Sequence, residues 1–158
     1  MTTPTDSTLT DDRLAGQPAA YWTGLAYEAL IAFTRDQQAQ LGFTQPQFWL
    51  LRNLSSNDIS PDGHGMTVPE LQEAMRSYIR PEDDVAAEAG ALLERGALSR
   101  DDEGRLWITE AGETERLRLK QHAPAIRDRI HAGIDDADYV TALKVLRQMI
   151  RNTGGTLP

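Results

Sequence analysis

The sequence predicts a mainly α-helical protein with a small β-wing: a winged helix-turn-helix core plus N- and C-terminal dimerisation helices. Two observations predict this fold. Apolar residues recur at helical spacing in six segments of the chain, and a short stretch after the fourth segment alternates as a hairpin does. Three short helices followed by a two-stranded hairpin form a winged helix-turn-helix, and the long helices at both ends are surplus to that core.

The first long helix is predicted from about Pro18 to Leu41. Its apolar residues at helical spacing are Trp22, Leu25, Ala26, Ala29 and Phe33. Gly42 follows directly and provides a C-terminal stop, because glycine readily adopts the left-handed conformation that ends a helix.

Two shorter helices share one start signal. Thr44 is followed three residues later by Gln47, and Thr67 by Glu70, which is the spacing of a capping box. The stretch between these helices, SSNDISPDGHG at residues 55–65, has the Ser, Asn, Asp, Pro and Gly content of a loop.

The next segment, from Ile79 to Arg100, predicts one helix followed by one strand, with Pro81 at an early helical position. A polar turn at residues 101–104 then leads to Leu106 and Ile108, which alternate with polar or amphipathic neighbours. This part of the chain therefore predicts the two strands of a wing.

Two further helices complete the chain. One is predicted from Glu110 to about Ala132, and the other begins near Asp135 and carries one apolar side. The residues of that side are Tyr139, Leu143, Leu146 and Ile150. Because no other segment is left to cover the terminal helices, their burial against a second copy of the chain is expected, which predicts a homodimer.

These elements divide the chain into five parts, and a helix-turn-helix places one helix in the DNA major groove. The parts are a disordered tail (1–13), an N-terminal dimerisation helix (14–43), a winged helix-turn-helix DNA-binding region (44–110), C-terminal dimerisation helices (111–152) and a tail (153–158). The first tail offers too little apolar surface to offset the entropy lost on ordering.

Composition narrows the function classes. The 158 residues include no cysteine, which excludes thiolate metal sites and cysteine nucleophiles and suits a reducing cytoplasm. The apolar stretches are too short for a membrane span, and the polar first residues lack the features of a secretory signal. No phosphate-binding glycine loop or nucleophile elbow is present, and His64, His122 and His131 lie far apart. We therefore expect a cytoplasmic protein that is not an enzyme and has no metal or cofactor.

The order of these segments resembles the MarR family of transcriptional regulators over roughly residues 20–150. The resemblance rests on FTQPQFWLLRNL as the second helix, MTVPELQEAM at the start of the helix-turn-helix, LLERGALSR and RLWITEAGE. It implies a homodimer that binds a pseudo-palindromic DNA operator. It also implies a small, often phenolic, effector held between the dimerisation and DNA-binding regions.

The sequence departs from this family in the DNA-reading surface. The wing carries Glu103-Gly104-Arg105 where the family typically has an Asp-x-Arg pattern. The segment that resembles the recognition helix begins with Glu82, Asp83 and Asp84 instead of small polar and basic residues. Residues 66–110 hold five arginines and eleven acidic residues. This excess of acidic residues accounts for most of the chain's net charge of −8, and that negative charge disfavours non-specific DNA binding.

Three interpretations of these acids stay open at the sequence level. They can stabilise the positive end of the helix dipole, accept a hydrogen bond from cytosine, or mark a surface that binds DNA weakly or binds a protein. The candidate DNA-binding residues are Arg76, Ser77, Arg80, Asp84, Arg100 and Arg105. Arg105 is either a minor-groove contact, as the resemblance implies, or a solvated turn residue.

Aromatic residues on the first two helices give a candidate effector pocket. They are Trp22, Tyr27, Phe48 and Trp49, and their alternative role is core or dimer interface. Two functions therefore compete. One is a ligand-responsive regulator that binds an operator, and the other is a MarR-like dimer that has weakened or lost operator binding and acts as a protein- or ligand-binding module.

Overall fold

The structure, a computed structural model, describes residues 9–158 and confirms the predicted fold class. The described residues form α1 (Asp11–Ala15), α2 (Ala19–Gln40), α3 (Gln45–Leu54), α4 (Val68–Ala74), α5 (Val85–Glu94), β1 (Leu98–Arg100), β2 (Leu106–Ile108), α6 (Glu110–Ile130) and α7 (Asp136–Asn152). Helices α3, α4 and α5 with the β1–β2 hairpin make the winged helix-turn-helix, and α2, α6 and α7 flank it.

Local signals fixed the starts of α3 and α4 as predicted. In α3 the Thr44 hydroxyl accepts from the Gln47 backbone N–H, and the Gln47 side chain accepts from the Thr44 N–H. In α4, Thr67 and Glu70 form the same reciprocal pair. A capping box depends on two residues only three positions apart, so it can be predicted from the sequence.

The predicted start of the recognition helix is wrong. Pro81 is not helical, because α5 begins at Val85 and the side chain of Asp84 accepts a hydrogen bond from Ala87 N at 3.0 Å. An aspartate that caps in this way holds its own backbone in an extended conformation, which ends the preceding turn and starts the helix. Glu82 and Asp83 therefore precede the helix and do not lie in its first turn.

The wing is a tight antiparallel hairpin that is joined to the rest of the domain at two points. Leu98 pairs with Ile108 and Arg100 with Leu106, and Met66 adds an isolated bridge to Leu106. At the other point, a Cβ on Gly112 would lie 2.1 Å from the Ala97 carbonyl oxygen, so only glycine lets α6 approach the residue before β1 this closely.

The core lies between α3, α4, α5 and the hairpin. Its buried apolar residues are Phe43, Phe48, Leu50, Leu51, Leu54, Leu71, Met75, Val85, Ala89, Leu92, Ala97, Leu98, Leu106 and Leu119. In the described chain α7 contributes no buried residue, and Gln38 is the one buried residue of α2. The buried core therefore belongs mainly to the winged region, with Leu119 contributed by α6, whereas α2 and α7 keep their apolar residues exposed.

The predicted N-terminal tail is only partly covered by the structure. Residues 1–8 lie outside the described residues, and α1 already begins at Asp11, inside the range predicted to be disordered. Within residues 9–158, no helix is both long and apolar enough to cross a membrane.

Candidate nucleic-acid interface

Four of the six predicted DNA contacts are solvent-exposed in the winged region: Arg76, Ser77, Asp84 and Arg100. Arg76 and Ser77 follow α4 at the turn of the helix-turn-helix, and Arg100 ends β1. The Arg76 guanidinium lies 3.6 Å from the Glu73 carboxylate, and both side chains are largely exposed. A surface pair of this kind is weak, so Arg76 remains accessible to a phosphate.

Arg80, in contrast, is engaged within the protein. Its Nε donates to Glu82 Oε1 at 2.7 Å, and its Nη2 donates to Glu28 Oε1 at 3.1 Å. The hydrogen bonds to Glu82 and Glu28 raise the pKa of Arg80 above its usual value. Its guanidinium also lies 5.5 Å from the centre of the Tyr27 ring, and its Nη1 is buried without a hydrogen-bond partner in the described chain.

The wing arginine also bends back against its own domain. Arg105 Nη1 donates to the Gly65 carbonyl oxygen at 2.8 Å and to Glu70 Oε2 at 3.1 Å. The Thr67 backbone N–H and the Arg105 guanidinium lower the pKa of Glu70. A minor-groove contact that needs Arg105 to extend from the wing would have to replace these bonds, because they hold its guanidinium against Gly65 and Glu70.

Asp101 shapes the wing turn, a role that sequence reasoning missed. Its Oδ1 accepts from the backbone N–H groups of Glu103 and Arg105 at 3.0 and 2.9 Å, and its Oδ2 accepts from Trp107 Nε1 at 2.8 Å. The Trp107 indole and the Arg105 backbone lower the pKa of Asp101. An aspartate that opens a short polar turn is the signal for this motif.

The acidic segment before α5 is tied to helix α2. Asp83 receives two parallel bonds from Arg35, Nη1 to Oδ1 and Nη2 to Oδ2, each of 2.8 Å. It also accepts from the Arg80 backbone N–H at 2.8 Å, and its side chain is only 6% exposed. The hydrogen bond from Arg35 lowers the pKa of Asp83. Asp83 is therefore a buried structural ion-pair partner.

The other acids of this segment are also engaged. Asp84 caps α5, and Glu88 Oε2 accepts from the Thr44 hydroxyl at 3.0 Å and from Gln47 Nε2 at 2.8 Å. Glu88 thereby joins the first turn of α5 to the start of α3. Together with the Glu82–Arg80 pair, these contacts give every acidic side chain from Glu82 to Glu88 a partner inside the protein.

Helix α5 itself offers little for reading bases. Its ten residues, VAAEAGALLE, include no hydrogen-bond donor side chain. Ala86 and Ala87 are exposed, and a Cβ placed on Gly90 would have open space around it. Guanine and adenine edges are read mainly by donors such as Arg, Asn and Gln. The exposed face of α5 is therefore limited to methyl contacts and carboxylate acceptors.

A cavity of about 260 Å³ lies between α2, α3 and α6. Phe48 and Trp49 line it together with Gln38, Ile126 and other residues, so two of the four predicted pocket aromatics meet there. The other two lie elsewhere. Trp22 is 44% exposed and donates to the side chain of Gln17, and Tyr27 packs near Arg80.

A buried ionic cluster joins the α3–α4 loop to α6, and sequence reasoning missed it too. Asp58 accepts from Arg52 Nε at 3.1 Å and from Arg116 Nη1 at 3.1 Å, and Arg116 also binds Glu113 at 2.8 Å. Burial by itself raises the pKa of Asp58, but the hydrogen bond from Arg52 acts against burial, and the pKa of Asp58 is lowered. Arg116 is 2% exposed, so this cluster fixes the winged region on α6.

Three solved structures have the same fold over most of the chain. A MarR family transcriptional regulator from Silicibacter pomeroyi matches with a TM-score of 0.68 and 18% identity, covering 91% of this chain and 99% of that one. A Mycobacterium tuberculosis MarR family protein in complex with DNA matches at 0.63 and 19% identity, covering 84% and 98%. The same protein in complex with p-aminosalicylic acid matches at 0.61 and 20% identity, with the same coverage.

The fold is a winged helix-turn-helix flanked by long terminal helices. It is that of the MarR-type regulators, as the order of sequence motifs predicted. No protein-family model and no curated protein matches the sequence.

Proposed function

We propose that this protein is a MarR-type transcriptional regulator that binds a pseudo-palindromic DNA operator as a homodimer. The observation that carries the proposal is the MarR-type fold, which includes a winged helix-turn-helix and is shared with a protein solved in complex with DNA. In this arrangement two copies of α5 would enter successive major grooves at a distance set by the dimer.

The homodimer is supported by the terminal helices. Along α7, Tyr139, Val140, Leu143, Met149 and Ile150 are between 36% and 46% exposed in the single chain. Leu25 and Leu30 of α2 are similarly exposed. Large apolar residues exposed along two helices are typical of a protein–protein interface, and a second copy offers the same residues in return.

The DNA contacts would come mainly from residues outside α5. Arg76 and Ser77 suit phosphate contacts, and Arg100 and Arg105 flank the wing turn, where a narrow minor groove attracts arginine. Because α5 has no donor side chain, we infer that the protein reads DNA shape and backbone more than base edges. Asp84 would contribute to base reading only through a carboxylate that already caps the helix.

We also propose that a small aromatic effector occupies the cavity between α2, α3 and α6. Phe48 and Trp49 supply aromatic walls, and Arg127 and His131 supply polar groups at the same cavity. A volume of about 260 Å³ suits a single-ring compound, and a fold neighbour was solved with p-aminosalicylic acid. Bound there, the effector would touch both the winged region and two of the flanking helices.

A second candidate function is a MarR-like module that binds a protein or a ligand without binding an operator. The observations that favour it are the donor-free face of α5 and the pairing of Arg80 and Arg105 with carboxylates of the same chain. A net charge of −8 acts in the same direction, since it repels a polyanion.

Fluorescence anisotropy with labelled duplexes separates the two functions. We expect the full chain to bind DNA flanking its own gene more tightly than a scrambled duplex, with affinity falling steeply from about 50 to about 200 mM salt. p-Aminosalicylate should lower the affinity for the flanking duplex. Failure to bind either duplex at low salt contradicts operator binding and favours the second function.

A further inference from the structure

Two ion pairs connect α2 to the turn that precedes α5. Glu28 and Arg35 are seven residues apart, so they lie on the same face of α2 two turns from each other. They meet Arg80 and Asp83, which are three residues apart in the turn. We call the pairs Glu28–Arg80 and Arg35–Asp83 the clasp.

The signs of the clasp specify one register between α2 and the turn. Helix α2 contributes first an acid and then a base, and the turn contributes a base and then an acid. If α2 moved along its axis so that Glu28 approached Asp83, two like charges would face each other. A pattern that is attractive in one register and repulsive in another specifies geometry as well as stability.

The Arg35–Asp83 pair carries most of the constraint. Its two parallel bonds of 2.8 Å fix the direction as well as the distance, because a guanidinium and a carboxylate match in one plane. Arg35 is further oriented by Gln45, which accepts from its Nε at 3.0 Å. By contrast, Glu28 is 65% exposed, so its pair with Arg80 is a weaker second contact.

The position of Asp83 connects the Arg35–Asp83 pair to the start of α5. Asp83 directly precedes Asp84, the residue that caps the helix, and it also binds the backbone N–H of Arg80. Any shift of α2 that carries Arg35 along therefore pulls on the first turn of α5. A helix is stiff, so its whole exposed face follows its N-terminus.

We propose that the clasp transmits the position of α2 to α5, and that Arg35 and Asp83 are positioning residues for DNA binding. This inference rests on the proposed function. Helix α2 carries exposed apolar surface of the proposed dimer and also lines the cavity beside α3, so changes at either place would reach α5 through these two residues. Neither residue touches DNA in this mechanism.

The test uses the full-length chain and two duplexes: one selected by the wild-type protein from a random-sequence pool, and a scrambled version of it. Asp83→Asn removes the ion pair but keeps an oxygen that can accept from the Arg80 N–H. Glu94→Gln is the matched control, because Glu94 is an exposed acid at the other end of α5 with no ion-pair partner in the described chain.

We expect Asp83→Asn to weaken binding of the selected duplex about tenfold relative to Glu94→Gln, within the usual range of coupling between sites. Binding of the scrambled duplex should differ little between the two variants, since both remove one negative charge and non-specific binding depends on charge. Arg35→Lys keeps the charge but cannot form two parallel bonds. It should show the same selective loss, and it carries the test if Asp83→Asn does not fold by circular dichroism.

Two results overturn the clasp alone: equal affinity of Asp83→Asn and Glu94→Gln for the selected duplex, or equal losses on both duplexes. The second would mean that the pair supports only the general fold. If the wild-type chain instead enriches no sequence and binds no duplex at low salt, the proposed function fails, and the clasp fails with it.

Discussion

At the scale of single residues, two of the four candidate DNA-binding arginines are held by carboxylates of the same chain. Arg80 binds Glu28 and Glu82, and Arg105 binds Glu70. A phosphate that draws either guanidinium away from its carboxylate replaces a charge-assisted hydrogen bond inside the protein. The net gain from each contact is then smaller than for a free arginine, because binding replaces one such bond with another.

Neutralising Glu70 should release the wing arginine. We expect Glu70→Gln to raise affinity for any duplex and to steepen its salt dependence by up to about one unit, because one more arginine can displace counterions. Glutamine is also accepted at this position of a capping box, so α4 should start as before. Anisotropy titrations at several salt concentrations measure both quantities.

The control for this variant is again Glu94→Gln, which removes the same charge without releasing an arginine. If both variants shift the affinity and the salt dependence equally, only the overall charge matters and Arg105 does not contact DNA. If Arg105 enters the minor groove, Arg105→Ala should weaken specific binding by about 1–3 kcal/mol, which is the usual range for one good contact.

Stability should depend on the protonation of Asp83. Its pKa is lower in the folded chain than in the unfolded chain, because Arg35 donates to it. The stabilisation is fully present above the usual aspartate pKa of about 3.9 and is lost as pH falls through the lower folded value. Urea unfolding of wild type and Asp83→Asn should therefore give free energies that converge as the pH is lowered. A difference that stays constant with pH would show that the pair does not act through charge.

At the scale of the elements, the sequence predicted features that depend on residues close together in the chain. It missed contacts between residues that are far apart in the chain. The capping boxes and the hairpin turn were predicted because their signals span a few residues. The start of α5 was misplaced because proline at position 81 suggests a first turn, whereas the Asp84 cap settles the boundary. Arg35 and Asp83 are 48 positions apart, and no local pattern connects them.

The same limit applies to the predicted cavity. Phe48 and Trp49 are adjacent on α3, and that helix faces α2 and α6 across the cavity. Trp22 and Tyr27 belong to the exposed part of α2 instead. Composition identified the aromatics, but which side of α2 faces the winged region depends on packing that the sequence does not show.

Neutralising the helix cap tests the role of the acidic front of α5. Asparagine caps a helix about as well as aspartate, so Asp84→Asn should leave α5 intact and remove one charge that repels phosphates. We expect stronger binding of selected and scrambled duplexes alike, because this repulsion carries no sequence information. If Asp84 instead accepts a hydrogen bond from cytosine, only the selected duplex should lose affinity, together with its preference at one or two base pairs.

At the scale of the whole molecule, the buried core is concentrated in the winged region, and two of the flanking helices have uncovered apolar faces. The winged region holds nearly all of the buried apolar residues, while α2 and α7 hold most of the exposed large ones. Leaving this surface in water costs about 25 cal/mol for each Å² that a partner could cover. Dimerisation through these helices would remove that cost and would also set the distance between the two copies of α5.

A single polar substitution on α7 tests this assembly. Leu143 is 42% exposed in one chain, so Leu143→Asp should be tolerated by an isolated monomer but should place a charge in the proposed interface. Ile59 in the α3–α4 loop is 43% exposed and far from α7 in the chain, so Ile59→Asp is the matched control. Sedimentation equilibrium should find two chains per particle for wild type and Ile59→Asp, and one chain for Leu143→Asp.

Removing residues 136–158 should likewise give monomer or aggregate, because the remaining partners of α7 would be exposed. A stable dimer in both Leu143→Asp and the truncated chain would place the interface elsewhere, and the spacing of the two α5 helices would then need another origin.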